Sequence, residues 1–202
     1  MKNFDHCGFR HPIVRGLSLV ELLVAVAIVG VLVGVAIPSL SDLLERRRVV
    51  AIAQELAGIL NYARSETNVN GDAVVVRFDK DPNGRRSCAM VNVLNMWHYN
   101  CKCYLEQEQV CGTSPVPVLR VFQVENAKGV SFEAAAPHWE GAGALANFVT
   151  LQRGQYFPDA AGVNVTVTGK RTGAQLRVEL NEVNRVRVCS PDTSISGYPA
   201  CS

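Results

Sequence analysis

From Leu22 to Ile37 the chain carries no charged side chain, and the apolar run reaches back to Leu17, interrupted only by Ser18 and Glu21. As a helix, the 21 residues from Leu17 to Ile37 rise about 32 Å at roughly 1.5 Å per residue, enough to cross a hydrocarbon layer of about 30 Å. Within that span Glu21 is the sole ionisable side chain. A carboxylate at such depth is costly unless it meets a cation or lies near an interface. The residues before Gly16 carry charge and no apolar run. A secretory signal carries its cleavage site after the apolar core, at small residues; here the expected cut precedes the core, at Gly16.

A basic leader ending in Gly16, the hydrophobic Leu17 next, and Glu21 five positions after the glycine resemble the type IV pilin and pseudopilin superfamily. The resemblance implies cleavage between Gly16 and Leu17 by a prepilin peptidase and methylation of the new amino terminus at Leu17. It also implies that Glu21 meets the amino terminus of a neighbouring subunit, neutralising both charges inside a filament. Leu17 departs from the phenylalanine more usual there. An ordinary one-pass anchor, with Glu21 reaching to the membrane surface, is the alternative.

Charge alone does not orient the span. Lys2, Arg10 and Arg15 against Asp5 favour a cytoplasmic amino terminus, but Arg46, Arg47 and Arg48 lie on the other side. The six cysteines beyond the span, against Cys7 before it, suit an oxidising compartment, which the resemblance implies is the bacterial periplasm. The net charge is +2, and the leader accounts for all of it, so no global basic character points to nucleic acid. Beyond residue 16, about 50 residues read as one long helix and about 135 as one globular domain.

The expected organisation is a leader at 1–16, a membrane or filament-core helix at 17–38, an amphipathic continuation at 39–70, and a β-rich domain at 71–202. Pro38 lacks the amide proton and is expected to kink or locally break the helix. Leu40, Leu43, Leu44, Val50, Ala53, Leu56, Ala57, Leu60 and Ala63 recur at three- and four-residue steps as its apolar face. Glu45, Arg46, Arg47, Arg48, Gln54, Glu55 and Arg64 fall mainly on the others, the arginines as a solvated or headgroup-facing cluster. Asn68 to Gly71 supplies the stop. Strands are expected near 73–78, 89–96, 116–124, 130–133, 147–152, 163–168, 175–180 and 185–189. The fold class is α+β: a long helix, its amphipathic half packed on an antiparallel sheet.

Ala63 to Glu66, Phe157, Pro158 and Gly162, and Arg185 to Cys189 resemble the GspH/FimT group of minor pilins and pseudopilins. The likeness fails between about Ser87 and Gly112, where Met96 to Tyr99 and a cluster of cysteines replace the group's usual segment. Some FimT-like proteins bind DNA through a Gly-Arg-x-Arg motif in the last hairpin, and here Asn184 stands at the glycine position, before Arg185, Val186 and Arg187. Keeping Leu176, Val178 and Leu180 on one face with Val186 and Val188 suggests Val178 opposite Val186 and a loop over 181–183. Glu179 then lies beside Arg185, and Arg177 beside Arg187, a like-charged pair that an anion would relieve. DNA phosphate, with Lys170 and Arg171 as further contacts, is one such anion, and a carboxylate of an adjoining subunit is another.

Cys189 and Cys201 are expected to close a carboxy-terminal loop, as many pilins do. Cys88, Cys101, Cys103 and Cys111 read as disulfide partners of open pairing. The rival is a zinc site formed by His98 with Cys101, Cys103 and Cys111, whose spacing matches no common finger. There is no phosphate loop, nucleophile elbow or helical His pair, so neither catalysis nor a cofactor is expected. The sequence thus reads as a single-pass subunit of the inner membrane with a periplasmic domain. Its expected partners are the prepilin peptidase, other pilins or pseudopilins, membrane lipid and, in the alternative reading, DNA.

Overall fold

The computed structural model describes residues 18–95, 101–135, 148–152, 163–181 and 185–201. The chain forms two compact units, Met1–Leu40 and Ser41–Ser202. Helix α1, Leu19–Asn70, belongs partly to each. In the first unit its large apolar side chains are exposed, from Leu19 at 74% to Ile37 at 59%. The helix is long and apolar enough to cross a membrane. It also continues through Pro38, so the expected local break is absent. A single proline forfeits one backbone hydrogen bond, and the helical residues on either side retain theirs.

The second unit contains β1 (Val74–Lys80), β2 (Arg86–Val93), β3 (Val118–Glu125), β4 (Val130–Ala135), β5 (Phe148–Leu151), β6 (Val163–Gly169), β7 (Gln175–Leu180) and β8 (Val186–Cys189). They make two antiparallel sheets, ordered β3-β2-β1-β5 and β4-β6-β7-β8. In β6, Val163, Val165 and Val167 are buried while Asn164, Thr166 and Thr168 are not. That alternation marks a sheet with one covered face. In β1, by contrast, Val74 to Phe78 are all buried, as are Ser87 to Asn92 in β2. Both faces of this sheet are covered.

Its inner face shares one core with the second sheet and with α1. Val49, Ala53, Leu56, Ile59, Leu60 and Ala63 pack with Val76, Phe78 and Val91 from one sheet and Val165, Leu176 and Val178 from the other. Phe122 and Phe132 stack across the two sheets with ring centroids 6.2 Å apart. Gly71, at φ +77°, ends the helix in a conformation that side chains with a Cβ resist.

The outer face of the first sheet is covered by the cysteine-rich segment. Cys88 and Met90 of β2 form a small second core with Cys101, Cys103 and Val110. Disulfides Cys88–Cys103 and Cys101–Cys111 fasten this segment down. Polar side chains of the sheet hold its backbone as well: Arg77 Nη1 donates to the Cys101 carbonyl at 2.6 Å, and Gln123 Nε2 donates to those of Cys103 and Leu105, both at 2.7 Å. Burial raises the Asp79 carboxyl above its ordinary pKa, outweighing the opposing effects of Arg77, the Cys103 N–H and Lys102.

Candidate functional site

Glu21 lies in the first turn of α1 and is exposed. Ser18 caps this end: its Oγ accepts the Glu21 N–H at 3.2 Å and its carbonyl accepts the Leu22 N–H at 3.1 Å. The serine and the acid three residues on have the spacing of a capping box. A carboxylate in a first turn is also favoured by the positive end of the helix dipole. The only acid of the apolar stretch therefore stands where the helix itself tolerates negative charge best. Gly16 and Leu17 lie outside the described residues.

The basic candidates do not gather into one patch. Lys170 and Arg171 sit in the turn between β6 and β7, whereas Asn181 and Arg185 close the far end of β7, where the Asn181 N–H donates to the Arg185 carbonyl at 3.1 Å. The six residues of β7 separate the two groups by roughly 17 Å at about 3.3 Å per residue. Lys170 and Arg171 therefore do not extend the Arg185 and Arg187 surface.

The hairpin register also differs from the sequence expectation by two residues. Val178 pairs with Val188, Glu179 with Arg187 and Arg177 with Cys189. A shift of two keeps the same faces, which is why side-chain alternation does not distinguish the two registers. The loop moves to 182–184, outside the described residues, and the expected opposition of Arg177 and Arg187 disappears. Arg185 is exposed, its N–H donating to Asn181 Oδ1 at 2.8 Å. Arg187, also exposed, donates from Nη2 to the Ala200 carbonyl at 3.1 Å.

A buried acid on α1 escapes the sequence reading. Glu45, assigned above to a polar face, is 7% exposed. Its Oε1 accepts the Thr172 N–H and the Thr172 hydroxyl, each at 2.8 Å, and the Arg171 N–H at 3.1 Å. Burial works to raise its pKa, but these bonds and the Arg171 charge outweigh it and hold the carboxyl below its ordinary value. The fit is close: a Cβ on Gly169 would lie 2.7 Å from Glu45 Oε1, and one on Gly129 3.1 Å from Oε2. The missed signal is periodic, since Glu45 stands four residues before Val49 and eight before Ala53, on the buried stripe. Conversely, Leu40, Leu43 and Leu44, expected on the packed face, are 56%, 47% and 45% exposed.

Around Glu45, α1 is tied to three loops. Arg46 Nη1 donates to the Ser194 carbonyl at 2.5 Å, Arg48 Nη1 to that of Lys128 at 3.0 Å, and Asp42 pairs with Arg171. At the carboxy terminus Cys189 joins Cys201 across 12 residues, enclosing Pro191, Gly197 and Pro199. All three cysteines of the zinc alternative are spent in disulfides, and its His98 lies outside the described residues. Glu179, Cys189 and Cys201 come together as well, but those two sulfurs are bonded to each other and offer no thiolate.

No family model and no curated protein matches the chain. Among solved structures it is similar to the type IV minor pilin FimU of Pseudomonas aeruginosa, 17% identical over 71% of this chain and 90% of that one, with a TM-score of 0.47. It is also similar to the minor pseudopilin EpsH from the Type 2 Secretion System of Vibrio cholerae, 17% identical over 71% of this chain and 98% of that one, with a TM-score of 0.43. A likeness at that level assigns neither partner nor activity.

Proposed function

We propose that the chain is a minor pilin or pseudopilin: a subunit cut between Gly16 and Leu17 by a prepilin peptidase, methylated at Leu17, and built into a type IV pilus or a type II secretion pseudopilus. One observation carries the reading. The apolar stretch of α1, exposed throughout its described side chains, holds a single acid in its first turn. So much exposed apolar surface demands a cover. A bilayer serves before assembly, and the helices of neighbouring subunits serve afterwards. Cutting at Gly16 would leave a new amine four residues before Glu21, and a neighbour's amine against that carboxylate would neutralise both charges away from water. On this reading the second unit lies in the periplasm and contacts other subunits, and its role is assembly rather than chemistry. Mass spectrometry of the chain purified from its host is expected to show residues 1–16 removed and one methyl group added. Glu21→Ala is expected to abolish incorporation into filaments while leaving the protein in the membrane. An intact leader, or normal incorporation of Glu21→Ala, refutes the proposal.

A second reading, DNA capture during uptake, is narrowed to two exposed arginines, Arg187 on the edge strand β8 and Arg185 just before it. If each contacts a phosphate, Arg185→Ala with Arg187→Ala lowers the slope of log affinity against log salt by about 2. Unchanged DNA retention at low salt excludes this reading.

A further inference from the structure

The three arginines that follow the apolar stretch do not stand alone. Arg48 bonds the Lys128 carbonyl at 3.0 Å, the Lys170 N–H donates to the Gly129 carbonyl at 2.8 Å, and Arg171 pairs with Asp42. The β3–β4 and β6–β7 turns are thereby drawn against residues 42–48 of α1. Arg46, Arg47 and Arg48 of this helical stretch and Lys128, Lys170 and Arg171 of the two turns drawn against it are all exposed. The acids among them are fewer and engaged: Asp42 with Arg171, Glu125 with Lys128 at 3.0 Å, and Glu45 buried under the β6–β7 turn. Arg46 and Arg48 donate to neutral carbonyls and keep their charges uncompensated. The excess is three positive charges in a chain whose net charge is +2.

The place of this collar in the sequence identifies its partner. A hydrocarbon layer of about 30 Å takes up roughly 20 helical residues. Counted from Leu17, the layer ends near Ile37, and residues 42–48 follow about 8–16 Å beyond it, from where long basic side chains reach back to the headgroups. We propose that the collar of Arg46, Arg47, Arg48, Lys128, Lys170 and Arg171 binds the headgroups of anionic phospholipids while the subunit is held in the membrane. This rests on reading α1 as a membrane span. Phosphate groups accept hydrogen bonds from arginine forks and attract lysine as a point charge, and a helix emerging from the bilayer brings such groups to these side chains without a search.

The test uses the full chain in detergent micelles doped with phosphatidylglycerol or phosphatidylcholine, with retained lipid counted by native mass spectrometry. The wild type is expected to prefer phosphatidylglycerol, with the preference falling as salt rises. Arg47→Gln, Lys128→Gln and Lys170→Gln together remove three cations that make no buried contact. At about fivefold per cation near an anionic surface, the apparent retention constant for phosphatidylglycerol falls about a hundredfold at low salt. Lys102→Gln, on the disulfide-fastened segment, leaves it unchanged. Undiminished preference in the triple variant overturns the proposal. So does a wild type that binds both lipids alike, or one that prefers neither lipid but binds a short DNA duplex through these same three residues. Alkaline carbonate extraction of host membranes separates the two levels: a chain that is released refutes the membrane span itself, whereas a chain that stays but shows no lipid preference refutes only the collar.

Discussion

Replacing Glu45 by alanine tests whether one carboxylate fastens α1 to the sheets. The change strands two backbone N–H groups and one hydroxyl, those of Arg171 and Thr172, in a site where Glu45 is 7% exposed. An unsatisfied buried donor costs about 1–3 kcal/mol, and water entering the vacated volume recovers part of that. A net loss of about 3 kcal/mol is expected. For a chain of this size it lowers the melting temperature by about 6–12 °C, read by circular dichroism on the full chain in mild detergent with disulfides intact. Glu55→Ala is the internal control. That acid pairs with Arg120 at 2.6 Å with both side chains more than 40% exposed, and such a pair contributes at most about 1 kcal/mol. The acid dependence gives a second readout. Because the Glu45 carboxyl is held below its ordinary value, its contribution is fully present above the unfolded pKa, near 4.3, and is lost as pH falls through the lower folded value. Glu45→Gln is therefore expected to be destabilised at pH 7 and to show a smaller further loss on acidification than the wild type. A Glu45→Ala protein that melts within 2 °C of the wild type refutes the reasoning.

Gly169→Ala places a methyl group 2.7 Å from Glu45 Oε1 and 2.9 Å from Thr172 Oγ1; overpacking of that kind costs about 1–3 kcal/mol. In a Glu45→Ala background the cost is expected to shrink, so a double-mutant cycle that shows simple additivity contradicts the contact. Cys189→Ser with Cys201→Ser opens a loop of 12 residues and is expected to lower unfolding free energy by about 3 kcal/mol, measured as a lower urea midpoint without reductant. An unchanged midpoint shows that the loop is held by its other contacts, among them the Ser190 N–H bond to the Pro199 carbonyl at 2.8 Å.

Where neighbouring residues determine structure, the sequence was readable. Val163 to Thr168 alternates apolar and polar side chains and forms β6 with one face covered. Val74 to Phe78 follows a helix stop and forms β1. Long-range choices were harder to see. Nothing within β1 to β8 says that the strands divide into two sheets, since that depends on pairings such as β1 with β5, 70 or more residues apart in sequence. The β7–β8 register was underdetermined because registers two residues apart bury the same side chains. The charge of Glu45 suggests a polar face, but its period places it on the buried stripe of Val49, Ala53 and Leu56. As for the candidate sites, Glu21 was visible as a lone acid, whereas the basic collar forms only when the β3–β4 and β6–β7 turns fold against α1.

The position of Glu45 governs where this protein can be shortened for work in aqueous buffer. A chain beginning at Ser41 discards the greasiest stretch yet keeps Asp42, Glu45, Arg46 and Arg48, and with them their ties to the Lys128, Thr172 and Ser194 loops. One beginning at Val50 looks cleaner by hydropathy, but it cuts away the pin and leaves the β6–β7 turn with donors facing an empty groove.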